Sequence, residues 1–132
     1  MHEAKIAIKF GTWFINSSDS VLKNFTKLVD KDKSISHYPV YNEGSAVSLS
    51  LGYHLATSKL ACVYLQNSGL SNSINPLISI AHEKVYSIPL ILIIGWRGSP
   101  RVKDEPQHNV KGKITEKILK LLDIKYTIIR NN

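Results

Sequence analysis

Tyr41 to Thr57 reads YNEGSAVSLSLGYHLAT and follows Ile35 to Tyr41, an extended run in which Pro39 marks a break or a sheet edge. The arrangement places one carboxylate, Glu43, at the mouth of a helix built from small residues. Ala46, Ser50, Gly52 and Ala56 allow a neighbour to pack very close to that helix. A glutamate at this position has two explanations. It can satisfy the positive end of the helix dipole, which stabilises by about 0.3–1 kcal/mol. Alternatively it is an acid that reaches across an interface to a ligand.

The elements on either side decide the fold class. Upstream, Thr12 to Ile15 is β-branched and aromatic, as a buried strand requires. Asn16 to Ser20 follows as a turn. A helix is then expected with Val21, Leu22, Phe25, Leu28 and Val29 on its inner face, ended by Lys31-Asp32-Lys33. Residues His2 to Phe10 read as a short helix.

Downstream, Leu60 to Leu65 is a continuous apolar run of the kind found in a strand covered on both faces. Gln66 to Asn72 reads as a polar loop and Ser73 to Glu83 as a helix. Ile88 to Gly95, IPLILIIG, is the most hydrophobic segment and is expected at the sheet centre. Trp96 to Asn109 then reads as a long loop. Lys113 to Asp123 reads as a helix with Ile114, Ile118, Leu121 and Leu122 inward, and Tyr126 to Ile129 as a closing strand.

Strand, loop and helix alternate with connections long enough for crossovers. The sequence therefore predicts an α/β fold, a three-layer arrangement with a mostly parallel sheet and helices on both faces. Its 132 residues form a single domain, 1–132, with no repeat or linker. In such sheets ligands bind beyond the carboxyl ends of the strands. Asp19, Glu43, Gln66 to Ser68 and Arg97 to His108 all fall at that rim.

Composition narrows the function classes. Hydrophobic residues make up 43% and charged residues 20%, as in a soluble globular protein. No apolar run approaches the ~20 residues of a membrane span, so no membrane role is expected. The opening residues lack the order of a signal peptide, and a single cysteine, Cys62, excludes an internal disulfide. A cytoplasmic setting follows as the expectation. The net charge of +7, from 17 Lys plus Arg against 10 Asp plus Glu, is spread over helix faces, including Lys111, Lys113, Lys117 and Lys120. Without a recognisable nucleic-acid module, no nucleic-acid partner is expected.

Other chemistries lack their signatures. No spacing of His, Cys, Asp or Glu fits zinc, and neither a nucleophile elbow nor a Walker phosphate loop is present. Cys62 reads as a core thiol, and His2, His37, His54 and His82 as structural or exposed. Asn67 and Ser68 could simply cap the next helix, and Arg97 could be a surface charge. The segment Lys103-Asp104-Glu105-Pro106-Gln107-His108 carries both signs of charge and a histidine in a loop long enough to suggest function.

Three motifs occur in order: Asn42-Glu43-Gly44, Gln66-Asn67-Ser68-Gly69-Leu70, and Gly95-Trp96-Arg97-Gly98 followed by Lys103 to His108. Together they make the chain resemble the N-terminal, pyrimidine-binding half of the phosphonopyruvate decarboxylase family of thiamine-diphosphate enzymes. Sulfopyruvate decarboxylase, with its separate alpha subunit, is the near relative. The resemblance is clearest from Asn42 to Ile129. It implies that Glu43 contacts N1′ of the cofactor's aminopyrimidine ring, where sharing a proton readies thiamine diphosphate as an electron sink for loss of carbon dioxide. It further implies cofactor contacts at Asn67, Ser68 and Gly69.

For a small anionic 2-oxo acid, Asp19, Ser20, Arg97 and Lys103 become the substrate-side candidates, and His108 a candidate for proton transfer or anion contact. The first loop departs from the family's Gly-Val-Pro-Asp-Ser, keeping only Asp19 and Ser20. The Gly-Asp-Gly motif that holds Mg2+ and the diphosphate in this family does not occur here. The resemblance therefore implies a beta-type, diphosphate-binding partner subunit that holds Mg2+, and a homo- or hetero-oligomer. On this reading the chain is the alpha-type subunit of a split decarboxylase acting on 3-phosphonopyruvate, with sulfopyruvate as the alternative substrate. A non-catalytic interaction domain is the rival reading.

Overall fold

The structure is a computed structural model and describes residues 13–16, 21–100 and 102–129. The expected helix at His2 to Phe10, the turn residues 17–20 and with them Asp19 and Ser20 lie outside the described residues.

Four strands, β1 (Trp13–Asn16), β2 (Ser36–Pro39), β3 (Cys62–Gln66) and β4 (Ile91–Gly95), form one parallel sheet in the order β2-β1-β3-β4. The helices are α1 (Lys23–Lys31), α2 (Glu43–Thr57), α3 (Leu70–Pro76) and α4 (Pro106–Leu121). A 3-10 turn, Asn67–Gly69, precedes α3, and a π-helical turn, Leu77–Ala81, extends it. The expected α/β architecture with helices on both faces is therefore present.

β3 shows why a continuous apolar run suits this position. Its residues alternate between two cores, and Cys62 to Leu65 are all buried. Val63 and Leu65 join Ala46, Val47 and Leu51 of α2, Leu70 of α3 and Leu119 of α4. On the opposite face Cys62 and Tyr64 meet Phe25 and Val29 of α1. The rings of Phe25 and Tyr64 stand edge to face at 5.2 Å. Burial pushes the Cys62 thiol up to about 12, so it is an inert core group.

Parallel register sets the strand ends level. Asn16 sits opposite Pro39 and Tyr64, and Gln66 sits opposite Gly95. Glu43, the 67–69 turn and Arg97 consequently leave the sheet on one side. Pro39 closes the edge strand β2, where its missing N–H does no harm.

Several expectations need correction. In α1 only Phe25 and Val29 are buried, while Val21 and Leu28 are exposed, because the sheet meets a narrower stripe than the apolar pattern suggested. β4 lies at an edge of the described sheet rather than its centre, and β1 and β3 take the middle. Ile91 to Ile94 are accordingly only half-buried, since hydrophobicity does not report how many strands flank a segment. The polar stretch from Asn67 is helical from its first residue. α4 starts at Pro106, not Lys113, so His108 and Asn109 are helical.

Within α4 the inner face is Gly112, Thr115 and Leu119, followed by Leu122, whereas Ile114 and Leu121 are exposed. The cause is Gly112: a Cβ there would meet the Gly98 carbonyl at 1.8 Å, so the helix turns its smallest residue to the loop that follows β4. Residues 126–129 form no strand in the described structure. A cleft of about 1740 Å³ runs instead along β4 and includes Ile91, Ile93, Tyr126 and Ile128 in its walls. No helix of the described residues is long and apolar enough to cross a membrane.

Candidate active site

Glu43 opens α2, where the Asn42 side chain caps the helix by accepting from the Ser45 N–H at 3.1 Å. The Glu43 side chain is half-buried. Asn72 Nδ2 donates to its Oε2 at 2.9 Å. Its Oε1 lies over Gly69, so closely that a Cβ at 69 would stand 2.1 Å from it. A Cβ at Gly44 would come within 2.5 Å of the Asn72 carbonyl oxygen. Two glycines thus let the start of α2 press against the segment after β3, and that contact aims the carboxylate along the rim.

The 67–69 turn is fixed from outside. Asn67, 3% exposed, donates through Nδ2 to the Arg97 carbonyl at 3.0 Å and to Thr115 Oγ1 at 2.9 Å. Its Oδ1 accepts from the Arg97 N–H at 3.1 Å. The amide therefore laces the end of β3 to the end of β4 and to α4, and both of its hydrogens are used. Ser68 Oγ accepts from Gln66 Nε2 at 2.5 Å, and its carbonyl accepts from Lys111 Nζ at 2.9 Å.

The loop after β4 is organised around Asp104. Its carboxylate accepts from Arg97 Nε at 2.8 Å, from Arg97 Nη2, from the Gly98 N–H at 3.0 Å and from the Glu105 N–H at 2.9 Å. The Arg97 side chain beside it holds the Asp104 carboxyl well below the usual carboxylate range. Gly98 has φ +64, and a Cβ there would meet the His108 carbonyl oxygen at 1.9 Å. Trp96 Nε1 donates to the Gly112 carbonyl at 3.0 Å. The loop is thereby clamped onto the first turns of α4.

His108 sits in the first turn of α4, and its Nδ1 is buried with no hydrogen-bond partner among the described residues. A buried ring nitrogen of this kind calls for a water or a ligand group. Lys103 is exposed beside it in sequence. The structure thus gathers Glu43, Asn67, Ser68, Gly69, Arg97 and His108 on one rim through direct contacts. It ties the Arg97 charge to Asp104.

Four residues gained importance only from the structure: Asn72, Asp104, Lys111 and Thr115. Asp104 stands inside a quoted motif and Asn72 at the end of the stretch read as a polar loop, so each had a signal without a role. Lys111 and Thr115 have the i, i+4 spacing of one helix face, a cue masked by the many surface lysines. No group of three or more His, Cys, Asp or Glu among the described residues could hold a metal ion.

A carboxylate held by an amide and seated against the backbone of Gly69 can share a proton with a ring nitrogen presented at the rim. The donor set fits one end of a nitrogen heterocycle. Among the described residues it includes no acidic cluster for the metal of a diphosphate.

Residues 7–119 match the model of the thiamine pyrophosphate enzyme N-terminal TPP binding domain. The chain is 39% identical over 110 residues to phosphonopyruvate decarboxylase of Streptomyces viridochromogenes, covering 83% of this chain and 27% of that protein. It therefore spans about a quarter of that relative's length. It is 36% identical over 123 residues to sulfopyruvate decarboxylase subunit alpha of Methanococcus maripaludis, covering 92% of this chain and 71% of that subunit. Among solved structures, benzoylformate decarboxylase from Polynucleobacter necessarius aligns with a TM-score of 0.58 at 21% identity, over 73% of this chain and 17% of that one.

Proposed function

Because this chain belongs to the family of thiamine pyrophosphate enzyme N-terminal TPP binding domains, we propose that it supplies the proton-sharing half of a thiamine-diphosphate-dependent 2-oxo-acid decarboxylase. The observation that carries this reading is the seating of Glu43, half-buried, held by Asn72 and lying on Gly69 at the carboxyl end of the sheet.

Glu43 would share a proton with N1′ of a bound aminopyrimidine, while Asn72 holds the carboxylate against rotation. Covering the rim with a partner chain would exclude water from the shared proton and strengthen that bond. Gly69 and the backbone of the 67–69 turn seat the Glu43 carboxylate, and with Ser68 they are the residues that would lie against the bound ring. Bound thiamine diphosphate supplies the electron sink for loss of carbon dioxide. Diphosphate and Mg2+ are held by a beta-type partner or domain, consistent with the lack of Gly-Asp-Gly in this chain.

The substrate side is the loop from Arg97 to His108. Arg97, already paired with Asp104, gives shape and a partly neutralised charge, and Lys103 is an exposed cation among the described residues of the loop, available to an anionic head. His108 completes the set with its unpartnered Nδ1. Asp19 and Ser20, which lie outside the described residues, are the further substrate-side candidates carried by the sequence. The favoured substrate is 3-phosphonopyruvate, giving phosphonoacetaldehyde and carbon dioxide. This choice is supported by the Trp-Arg-Gly and Lys-Asp-Glu-Pro-Gln-His motifs and by the 39% identity to a phosphonopyruvate decarboxylase. Sulfopyruvate is the second reading, favoured by the 71% coverage of a free-standing alpha subunit.

The test is reconstitution with a diphosphate-binding chain, cofactor and Mg2+, followed by assay of both oxo acids. Turnover of 3-phosphonopyruvate should exceed that of sulfopyruvate, and Glu43→Gln should lower it about 10²–10⁴-fold. Equal or reversed preference would overturn the substrate, and an unaffected Glu43→Gln variant would overturn the enzyme reading in favour of an interaction domain.

A further inference from the structure

Two neighbouring rungs of α4 grip two consecutive residues of the 67–69 turn. Thr115 Oγ1 accepts from Asn67 Nδ2 at 2.9 Å and itself donates to the Lys111 carbonyl at 2.8 Å. One turn earlier, Lys111 Nζ donates to the Ser68 carbonyl at 2.9 Å. The next residue is Gly69, whose backbone lies under the Glu43 carboxylate with no room for a Cβ. A three-residue 3-10 turn has poor hydrogen-bond geometry of its own. Its position is therefore set by what holds it, and a displacement of a few tenths of an ångström would be felt at Glu43. Lys111 belongs to the scattered lysines in sequence, yet unlike Lys113, Lys117 and Lys120 it is half-buried.

We propose that Lys111 is a positioning residue for Glu43: its ammonium fixes the Ser68 carbonyl, and through Gly69 fixes the shelf on which the Glu43 carboxylate rests. The inference builds on the role assigned to Glu43 above. A lysine at the rim has an obvious competing role, as a cation for the substrate anion, and the two make different predictions. Loss of a substrate cation raises KM. Loss of a positioning tether lowers kcat and leaves KM in place, because the shared proton is displaced while the anion contacts are intact.

Lys111→Met keeps the aliphatic stem and removes the donor and the charge. Lys111→Gln serves as a second truncation should the first fail to fold. Lys111→Arg keeps a charged donor able to reach the carbonyl. In the chain alone, the carboxyl 13C signal of Glu43, assigned by its disappearance in Glu43→Gln, is followed against pH. Its midpoint should move in Lys111→Met and return toward the wild-type value in Lys111→Arg. In the reconstituted complex, Lys111→Met should lower kcat about tenfold or more with KM unchanged, and Lys111→Arg should recover most of it. An unmoved Glu43 titration, or a rise in KM alone, would overturn the proposal. Should the complex decarboxylate neither oxo acid, the proposed reaction fails, while the carboxyl titration still decides the role of Lys111.

Discussion

The Glu43 carboxylate occupies the volume that a side chain at residue 69 would fill: its Oε1 lies 2.1 Å from the ideal Cβ position of Gly69. No real Cβ tolerates such a contact. The identity of one residue therefore dictates where the acid can stand, although the two are far apart in sequence.

Gly69→Ala must expel the carboxylate from its seat, since Asn72 continues to hold only one of its oxygens. Turnover in the reconstituted enzyme should fall about 100-fold. Overall secondary structure should persist, because residue 69 sits in a helical turn that alanine accepts. Circular dichroism beside a turnover assay checks the pair of outcomes. Unchanged turnover would show that Glu43 does not need this seat.

Asp104 gives a pH dependence whose sign is fixed. Its folded pKa is depressed, first by the Arg97 hydrogen bonds and then by the backbone donors of Glu105 and Gly98. The contribution to stability is fully present above the unfolded carboxylate value of about 3.9. It declines as pH falls below that value and is gone once the folded carboxyl protonates. Asp104→Asn should therefore be less stable than wild type near neutrality, and the gap should close on acidification. Urea midpoints measured down the acid limb would show it, and a constant gap would contradict it.

On the other side of the sheet, Tyr64 is wholly buried and its hydroxyl meets His37 Nε2 at 2.7 Å, while His37 Nδ1 meets Asp30 at 2.6 Å. Tyr64→Phe takes the partner from His37 Nε2, leaving the ring its Asp30 contact, and should cost about 1–2 kcal/mol in chemical unfolding. Because Tyr64 faces α1 rather than α2, kcat and KM should not change. A loss of turnover larger than the loss of folded protein would point to an unseen link across the sheet.

What could be read from the chain alone follows physical lines. Alternating strand and helix signals depend on local periodicity, and they placed Glu43 at a helix mouth, where it is found. The order of strands in a sheet is a long-range property, which is why the apolar richness of β4 pointed to the centre while the described sheet puts it at an edge. The start of α4 was missed although Pro106 takes the first-turn position that proline favours. The inner face of α4 was missed because Gly112 faces inward by close backbone approach, and apolar bulk was no guide. Asn67 shows the same limit within the site: as a residue type it suggests a cap or a ligand contact, and only the fold reveals that Arg97 and Thr115 absorb its amide.

Asn67 grips residue 97 by its N–H and carbonyl, atoms that nearly every amino acid carries. The weld between the two loops is therefore blind to the side chain at 97. On the proposed reading, selectivity for the head of a cargo molecule can be retooled there, with residue 104 changed in concert, while the join itself stays as it is.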